Sequence, residues 1–578
     1  MTQGFLQIAL FFGLLVAAMP LVGGYMARVF SGEHTIATPV IAPLERGITK
    51  LIGVDTSIDQ NWKSYAKSLV GFSFISWLVL YLILRTQTLH PFNSRDFHSG
   101  TWDLSFNTAS SFVTNTNWQF YGGETTLTNF SQSVGLTVQN FLSAAVGIAV
   151  AVALIRAIAR RHGEGKAGSI GNFWSDLIKS CLYVLLPMAF VAALLLVLGG
   201  VVQTISAGNS VLTLGPIASQ EAIKELGTNG GGFFNVNSAF PFENPSAFTN
   251  LLEMFLMLVI PVSLTWTYGR MVGSRRQGLA IFAAMSVLFV TAVTVVYIAE
   301  MHGTPAQHAA GVVTSASPGS PGGNMEGKDV RFGVSSSSLW AAVTTVTSSG
   351  AVNSAFESLS GTGGLVPFAN LSMSETVFGG VGTGLYSMLL YVLLAVFLGG
   401  LMVGRTPEYL GKKVQAREIK LVALGLLFTP IAALTTAAIA IGSKYGPPSI
   451  YASRPQGYSE NLYAYLSQAN NNGSAFAGYT GYYQPEAGNI GSHGITFADL
   501  LGGSTMVLAR FAPIIFVLAI AGTLAGKRVA PAGSGTLRTD TPTFVILLIA
   551  TVVLVGALTF FPALLLGPVV QGLGSSLF

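Results

Sequence analysis

The chain has 578 residues, of which 51% are hydrophobic and only 9% charged, with a mean hydropathy of +0.59. A soluble protein carries roughly 25% charged residues, so this chain cannot clothe several water-facing domains. Its apolar content excludes disorder. The one cysteine, Cys181, excludes a disulfide framework and a thiolate metal cluster and reads as an inert membrane-helix thiol.

Apolar runs of about 20 residues, the length that crosses roughly 30 Å of hydrocarbon, occur ten times: 5–30, 65–84, 134–158, 173–198, 248–272, 279–298, 378–403, 421–441, 506–524 and 543–566. No Lys or Arg precedes the first run, and it is too long for a signal-peptide core. It therefore reads as an uncleaved span. Of the 29 Lys and Arg residues, 20 fall in the odd-numbered loops between spans and 7 in the even-numbered loops. Retention of positive charge in the cytoplasm puts the odd loops inside and both termini outside. The net charge of +5 is thus a topology signal. No RNP, zinc-finger or helix-turn-helix pattern accompanies it, so no nucleic-acid partner is expected.

The four even-numbered loops share a plan. Each holds a short half-helix stretch (104–113, 218–226, 338–346 and 461–468) followed at once by small polar residues and usually Gly. Aligning Asn117, Gly230, Gly350 and Gly473 gives spacings of 113, 120 and 123 residues. Such a period predicts one unit, span–half-helix–extended turn–span, repeated four times, with the first and last spans left over. The expected division is 1–60, then repeats at 61–165, 166–275, 276–415 and 416–530, then 531–578. Ordinary polar loops with turn residues would explain one such stretch; four at near-constant spacing favour the repeat.

Non-helical backbone at membrane depth is tolerated where it is buried or lines a water-filled path. A half-helix ending at mid-membrane presents its negative dipole end there. Small residues beyond it let backbone carbonyls converge, and four such turns can replace the hydration shell of a monovalent cation.

Eight segments carry a family resemblance: SFVTNTNWQ at 111–119, GETTL at 123–127, GLTVQNFLSAA at 135–145, GPIASQEAIKELGTNGGGFFN at 215–235, NMEGK at 324–328, GRTPEYLGKK at 404–413, NNNGSAFAG at 470–478 and SGTL at 534–537. Across essentially its whole length the chain resembles the potassium-binding A subunit of bacterial Kdp-type transport ATPases. The resemblance implies an all-α polytopic membrane fold with ten transmembrane helices and four channel-like repeats akin to potassium channels and Trk/HKT transporters. It implies K+ as the transported ion and a filter of Asn115, Thr116 and Asn117; Thr228, Asn229 and Gly230; Ser348, Ser349 and Gly350; and Asn471, Asn472 and Gly473. It implies Gln119 as a brace of that filter. It also implies an ATP-hydrolysing B subunit that receives the ion, a small C subunit, a very small accessory membrane subunit, surrounding lipids and a bacterial inner-membrane location. Repeat one departs from the pattern with Asn117 where the others have Gly. No repeat has the Tyr of the TVGYG channel filter, so one tight site is expected instead of a queue of ions.

Gly379, Gly380, Gly382 and Gly384 interrupt the seventh span, each at about 1 kcal/mol in a helix interior. They predict a broken helix beneath the filter, or else close helix packing through small residues. Glu375 precedes the break, and Arg510 lies inside the ninth span. An Arg inside a bundle needs a partner or a wet cavity, so the two are expected to approach one another; the bland reading is an Arg snorkelling to the interface. Glu124, Glu221 and Glu225 read as mouth charges or solvated surface. The loop 305–323, rich in Gly, Ser, Pro and Ala, reads as flexible. The basic loop 405–420 is a docking surface for the ATPase partner or plain positive-inside charge.

No ATP site is expected. The stretch 404–413 has the wrong glycine spacing for a P-loop and Lys413 where Ser or Thr is required, and no DKTGT occurs. The seven His residues lack zinc spacing. The resemblance, together with the expected block in the seventh span, implies a non-catalytic, potassium-binding subunit of an ATP-driven uptake complex that passes the ion sideways through an intramembrane tunnel. The alternative is a stand-alone Trk/HKT-like channel or transporter. A membrane scaffold with vestigial filters is a third possibility.

Overall fold

The computed structural model describes residues 2–161, 168–206, 214–317, 321–402, 404–479, 492–530 and 536–573. Lys166 and the first two residues of the SGTL segment lie outside them. Among the described residues, ten helices are long and apolar enough to cross a bilayer: Thr2–Phe30, Trp62–Arg85, Ser131–Ala159, Phe173–Leu198, Ala247–Met271, Arg275–Ala309, Thr383–Met402, Ala416–Gly442, Ile495–Ala525 and Pro542–Leu573. The all-α architecture is the one the apolar runs predict.

Local chemistry starts several of these helices. Asn61 and Asn172 accept hydrogen bonds from the first-turn amides of Ser64 (3.0 Å) and Trp174 (3.0 Å). Capping boxes open the fifth span at Ser246/Thr249 and the eighth at Gln415/Glu418. The third, fifth and seventh spans are the most enclosed, with 83%, 72% and 72% of their apolar windows buried. The first and second, at 17% and 22%, face outward. At the basic face, Arg156 of the third span grips Asp176 through two hydrogen bonds (2.8 and 3.0 Å), and Tyr65 Oη of the second span donates to the same carboxylate at 3.0 Å. Arg156, a topology signal in the sequence, thus also ties three spans together.

Four half-helices enter from the opposite face: Trp102–Val113, Ile217–Leu226, Gly333–Val346 and Arg454–Ala469. That face is called upper below. The third and fourth begin five and seven residues earlier than the apolar stretches suggest, because their first turns are polar (Gly333 to Ser337; Arg454 to Glu460). The ninth span likewise begins at Ile495, before the predicted 506. Its extra turns carry Thr496, Asp499 and Thr505; the two threonine hydroxyls are hydrogen-bonded inside the fold, whereas both Asp499 carboxylate oxygens are buried without a partner. Thr496 Oγ1 donates to Asp103 Oδ2 (2.5 Å), and the Asp499 carbonyl accepts from Asn107 Nδ2 (2.9 Å).

The seventh span is split. A helix at Gly361–Ser372 precedes Thr383–Met402, and residues 373–382 between them are non-helical. The expected break is therefore present, but its first helical half is an element that the hydropathy pattern does not reveal. The loop expected to be flexible at 305–323 contains a helical turn at Pro305–Ala309, opened by a Thr304/Gln307 capping box; residues 318–320 lie outside the described set.

Candidate ion-binding site

Each half-helix ends in the same cap. The amides of Thr116, Asn229, Ser349 and Asn472 bond back to the carbonyls of Ser111, Lys224, Thr344 and Ser467, all at 2.9 Å. The residue before each, Asn115, Thr228, Ser348 or Asn471, has positive φ (75°, 49°, 49° and 54°). This is the Schellman arrangement, whose left-handed residue lets the chain leave the helix axis abruptly. Two positions later φ is positive again, at Asn117 (55°), Gly230 (88°), Gly350 (94°) and Gly473 (94°). Alternation between mirror-related backbone regions turns successive carbonyls toward one side. The same alternation occurs in all four repeats, including at β-branched Thr228, where it is costly.

The four segments close into a ring. A Cβ built on Gly230 would strike the Ser349 carbonyl, one on Gly350 the Asn472 carbonyl, and one on Gly473 the Thr116 carbonyl. The ring closes between segments one and two, where Gly231 would meet Asn117 Cβ at 2.8 Å and Asn115 Nδ2 donates to the Thr228 carbonyl at 2.8 Å. Glycine is required at three of these positions by both φ and space. The Cβ that Asn117 brings in is accommodated because it faces Gly231.

Side chains brace the ring from outside. Asn229 Nδ2 and Ser143 Oγ both donate to Asn115 Oδ1 (2.6 and 2.8 Å), and Asn117 Nδ2 donates to Asn140 Oδ1 (2.6 Å). Asn472 Nδ2 donates to the Thr344 carbonyl (3.0 Å). Asn140 and Ser143 lie in the GLTVQNFLSAA segment; sequence reasoning misses their bracing role, because nothing local distinguishes them from other small polar residues in an apolar helix. Gln119 Nε2 donates to the Gly232 carbonyl (3.1 Å) and to Tyr121 Oη (3.2 Å), joining repeat one to repeat two above the ring.

An upper cavity of about 570 Å³ leads to the ring, and Asn117, Gly230, Gly350 and Gly473 all line it. Below lies a second, small cavity of about 20 Å³, room for roughly one water. It is lined by Glu375, Asn471, Thr383 and Arg510 together with residues of the seventh, eighth and ninth spans. Glu375 Oε1 accepts from Asn471 Nδ2 at 2.6 Å, and Arg510 Nη1 donates to Thr383 Oγ1 at 2.8 Å. Glu375 and Arg510 thus share one cavity, with the Thr383 hydroxyl on the Arg510 guanidinium. Gly379 and Gly384 sit against each other, Gly380 against the Glu375 carboxylate, and Gly382 against the Gly147 carbonyl of the third span. The glycine-rich break is therefore folded in upon itself directly beneath the ring, and Val381 N donates to Thr228 Oγ1 of the second segment at 3.0 Å.

Two readings of charged residues are corrected. Glu221 and Glu225 are neither mouth charges nor solvated; they are 1% and 0% exposed and surround buried Lys224. The periodicity of a ten-residue helix gives no sign of it, since both its faces are covered. Glu124 is partly buried and caps the Asn235 amide (3.0 Å). In the basic loop, Lys412 is 1% exposed, donating to the Ala157 and Leu524 carbonyls (2.6 and 2.9 Å) at the ends of the third and ninth spans. Arg405, Lys413, Arg417 and Lys420 remain exposed. The NMEGK segment also gains a structural explanation: Lys328 pairs with buried Glu300 at 2.8 Å, and Asn324 Nδ2 donates to the same carboxylate at 2.8 Å. Away from the ring, at the upper face, burial and the adjoining Glu357 carboxyl push Glu460 up to about 8.

The model of the family described as Potassium-transporting ATPase A subunit matches residues 9–573. The chain belongs to that family. It is 52% identical to the potassium-transporting ATPase potassium-binding subunit of Rhodospirillum centenum, over 99% of this chain and 97% of that protein. It is 49% identical to the proteins of the same description from Granulibacter bethesdensis (99% and 98%) and Methylorubrum extorquens (98% and 97%). Among solved structures it is similar to the potassium transporter TrkH from Vibrio parahaemolyticus, with a TM-score of 0.50 and 16% identity over 78% of this chain and 84% of that one. That likeness is one of fold.

Proposed function

We propose that this chain is the potassium-binding, non-catalytic subunit of an ATP-driven uptake complex in the bacterial inner membrane. Its upper cavity faces outward, as the Lys/Arg asymmetry between loops supports. The ion is held by backbone carbonyls of Asn115–Asn117, 228–230, 348–350 and 471–473, which replace its hydration shell. The four half-helix C-termini add negative potential at the same point. The observation that carries this reading is the closed ring of four segments with one repeated backbone conformation. The repeat units are taken as 61–165, 166–275, 276–415 and 416–530.

Beneath the ring, the Glu375 carboxylate attracts the descending ion while the folded break at 373–382 obstructs a straight path to the basic face. The small cavity at Glu375 and Arg510 borders Leu390, Gly425, Thr429 and Ala509 of the seventh, eighth and ninth spans, which favours a sideways exit. The receiver would be the ATP-hydrolysing B subunit, in a complex with a C subunit and a very small accessory membrane subunit. Arg405, Lys413, Arg417 and Lys420 are the exposed cations available for docking on the basic face.

The test is rubidium binding and K+-stimulated ATP hydrolysis by the purified complex. Gly230→Asp and Gln119→Arg should abolish tight binding while the complex still assembles; unchanged binding would overturn the filter. Ion flux through the chain alone in liposomes, without ATP or partners, would favour the stand-alone transporter instead.

A further inference from the structure

Behind the second half-helix, four glutamates and one lysine are sealed from solvent: Glu221, Lys224 and Glu225 on the half-helix, Glu243 on the connection beyond it, and Glu253 in the fifth span, each at most 1% exposed. Lys224 Nζ lies 2.8 Å from Glu221 Oε2, 3.3 Å from Glu225 Oε1 and 3.2 Å from Glu243 Oε2. Ser238 Oγ donates to Glu221 Oε1 (2.8 Å), and Phe234 N donates to Glu243 Oε1 (2.7 Å). These contacts occupy both oxygens of Glu221 and Glu243 and one of Glu225. Glu225 Oε2 and both oxygens of Glu253 are buried without a hydrogen-bond partner.

Two features point to a missing cation. Four carboxylates against one ammonium leave a formal charge of −3, and a buried carboxylate with no counter-charge or donor is among the costliest groups a fold can hold. One oxygen from each of Glu221, Glu225 and Glu253 also lies within 4.8 Å of the others. Oxygens that share one Ca2+ at 2.3–2.6 Å can be no more than about 5 Å apart, so this triplet spans the coordination sphere of one such ion. Mg2+ demands shorter bonds and a stricter octahedron, and zinc prefers nitrogen and sulfur.

We propose that Glu221, Glu225 and Glu253 form a resident divalent-cation site, matched to Ca2+ and separate from the transported K+. The location gives it a purpose. Leu226 ends the half-helix, and the second filter segment begins two residues later at Thr228. Asn237 lines the upper cavity and accepts from Lys224 Nζ at 3.4 Å, so the cluster lies one side chain behind the cavity wall. An ion bridging the half-helix to the fifth span would lock that segment against the span behind it.

The experiment uses the full-length chain in its purified complex, at constant saturating K+, dialysed against a calcium chelator and then titrated with Ca2+. Elemental analysis and 45Ca2+ binding are expected to give one ion per chain. The chelator should lower the melting temperature by several degrees, with Ca2+ restoring it. The isosteric Glu253→Gln variant should weaken Ca2+ binding by at least tenfold. The inference is overturned if the wild-type complex neither retains nor rebinds a divalent cation and its melting temperature ignores both chelator and Ca2+; the carboxylates are then held by shared protons. It is equally overturned if Ca2+ binds but Glu253→Gln leaves the affinity unchanged. Filter occupancy is fixed by K+ throughout, and rubidium binding measured on K+-free portions of the same preparations reports failure of the filter reading separately.

Discussion

Asn471 Nδ2 donates to Glu375 Oε1 at 2.6 Å, so the first residue of the fourth ring segment is held by a carboxylate from the break in the seventh span. This contact joins the ring to the structure beneath it. Glu375→Gln keeps an oxygen to accept the Asn471 amide but removes the charge. The K+ concentration for half-maximal ATP hydrolysis by the complex is expected to rise about tenfold, equivalent to about 1.4 kcal/mol. Glu375→Ala, which also frees Asn471, should raise it further. Equal values for wild type and Gln would mean that the charge plays no part.

Gly230 has φ 88°, and a Cβ there meets the Ser349 carbonyl, so Gly230→Ala must distort the ring. A left-handed backbone alone costs roughly 1–2 kcal/mol for a residue with a Cβ, before the clash is counted. Discrimination of K+ over Na+ should collapse, read from the Na+ stimulation of ATP hydrolysis. Gly47→Ala is the control: Gly47 lies in the helix Thr38–Ile52, a Cβ added there meets nothing within 4 Å, and selectivity should be unchanged.

Arg510 Nη1 donates to the Thr383 hydroxyl at 2.8 Å inside the cavity it shares with Glu375. Arg510→Ala removes the guanidinium from that cavity's lining and leaves Glu375 without its neighbour. Maximal ATP-driven rubidium uptake should fall at least tenfold. Thr383→Val, which removes only the hydroxyl that accepts from Arg510, should give a smaller change in the same direction. Unchanged transport in Arg510→Ala would reduce the residue to a packing role.

Glu460 favours its neutral form in the fold, with its titration pushed from 4.5 to about 8 by burial and by Glu357. A carboxyl raised in this way contributes stability that is fully present below about pH 4.5 and is lost as pH rises through 8. The melting temperature of the purified complex should therefore fall over that interval. Glu460→Gln, which mimics the protonated acid, should flatten this part of the profile. A wild-type profile with no such slope would contradict the assignment.

Much of the fold is legible in the sequence because membrane insertion reads local, additive quantities. Twenty apolar residues in a row specify a span whatever lies elsewhere in the chain. The half-helix stretches and the small residues after them are also local signals, and their recurrence at 113, 120 and 123 residues marks the repeat. Sequence patterns fail where a helix is short or polar. Gly361–Ser372 contains Pro367 and two further glycines, and its N-cap Ser360 is fixed by Glu300 from 60 residues away (2.7 Å). The first turns of the ninth span carry Asp499, whose place inside the fold depends on the first half-helix.

By itself, then, the sequence determined the ten spans, the fourfold plan and which residues follow each half-helix. Only the tertiary structure decided the order in which the four segments close, the burial of Glu221 and Glu225 around Lys224, and the meeting of Glu375 with Asn471. The reason is physical. Hydropathy and backbone preference act within a few residues, whereas the carbonyls crowding at one centre and the Glu375–Asn471 contact join groups about a hundred residues apart, and the burial of Glu221 and Glu225 depends on which elements pack over their helix; no local pattern encodes either.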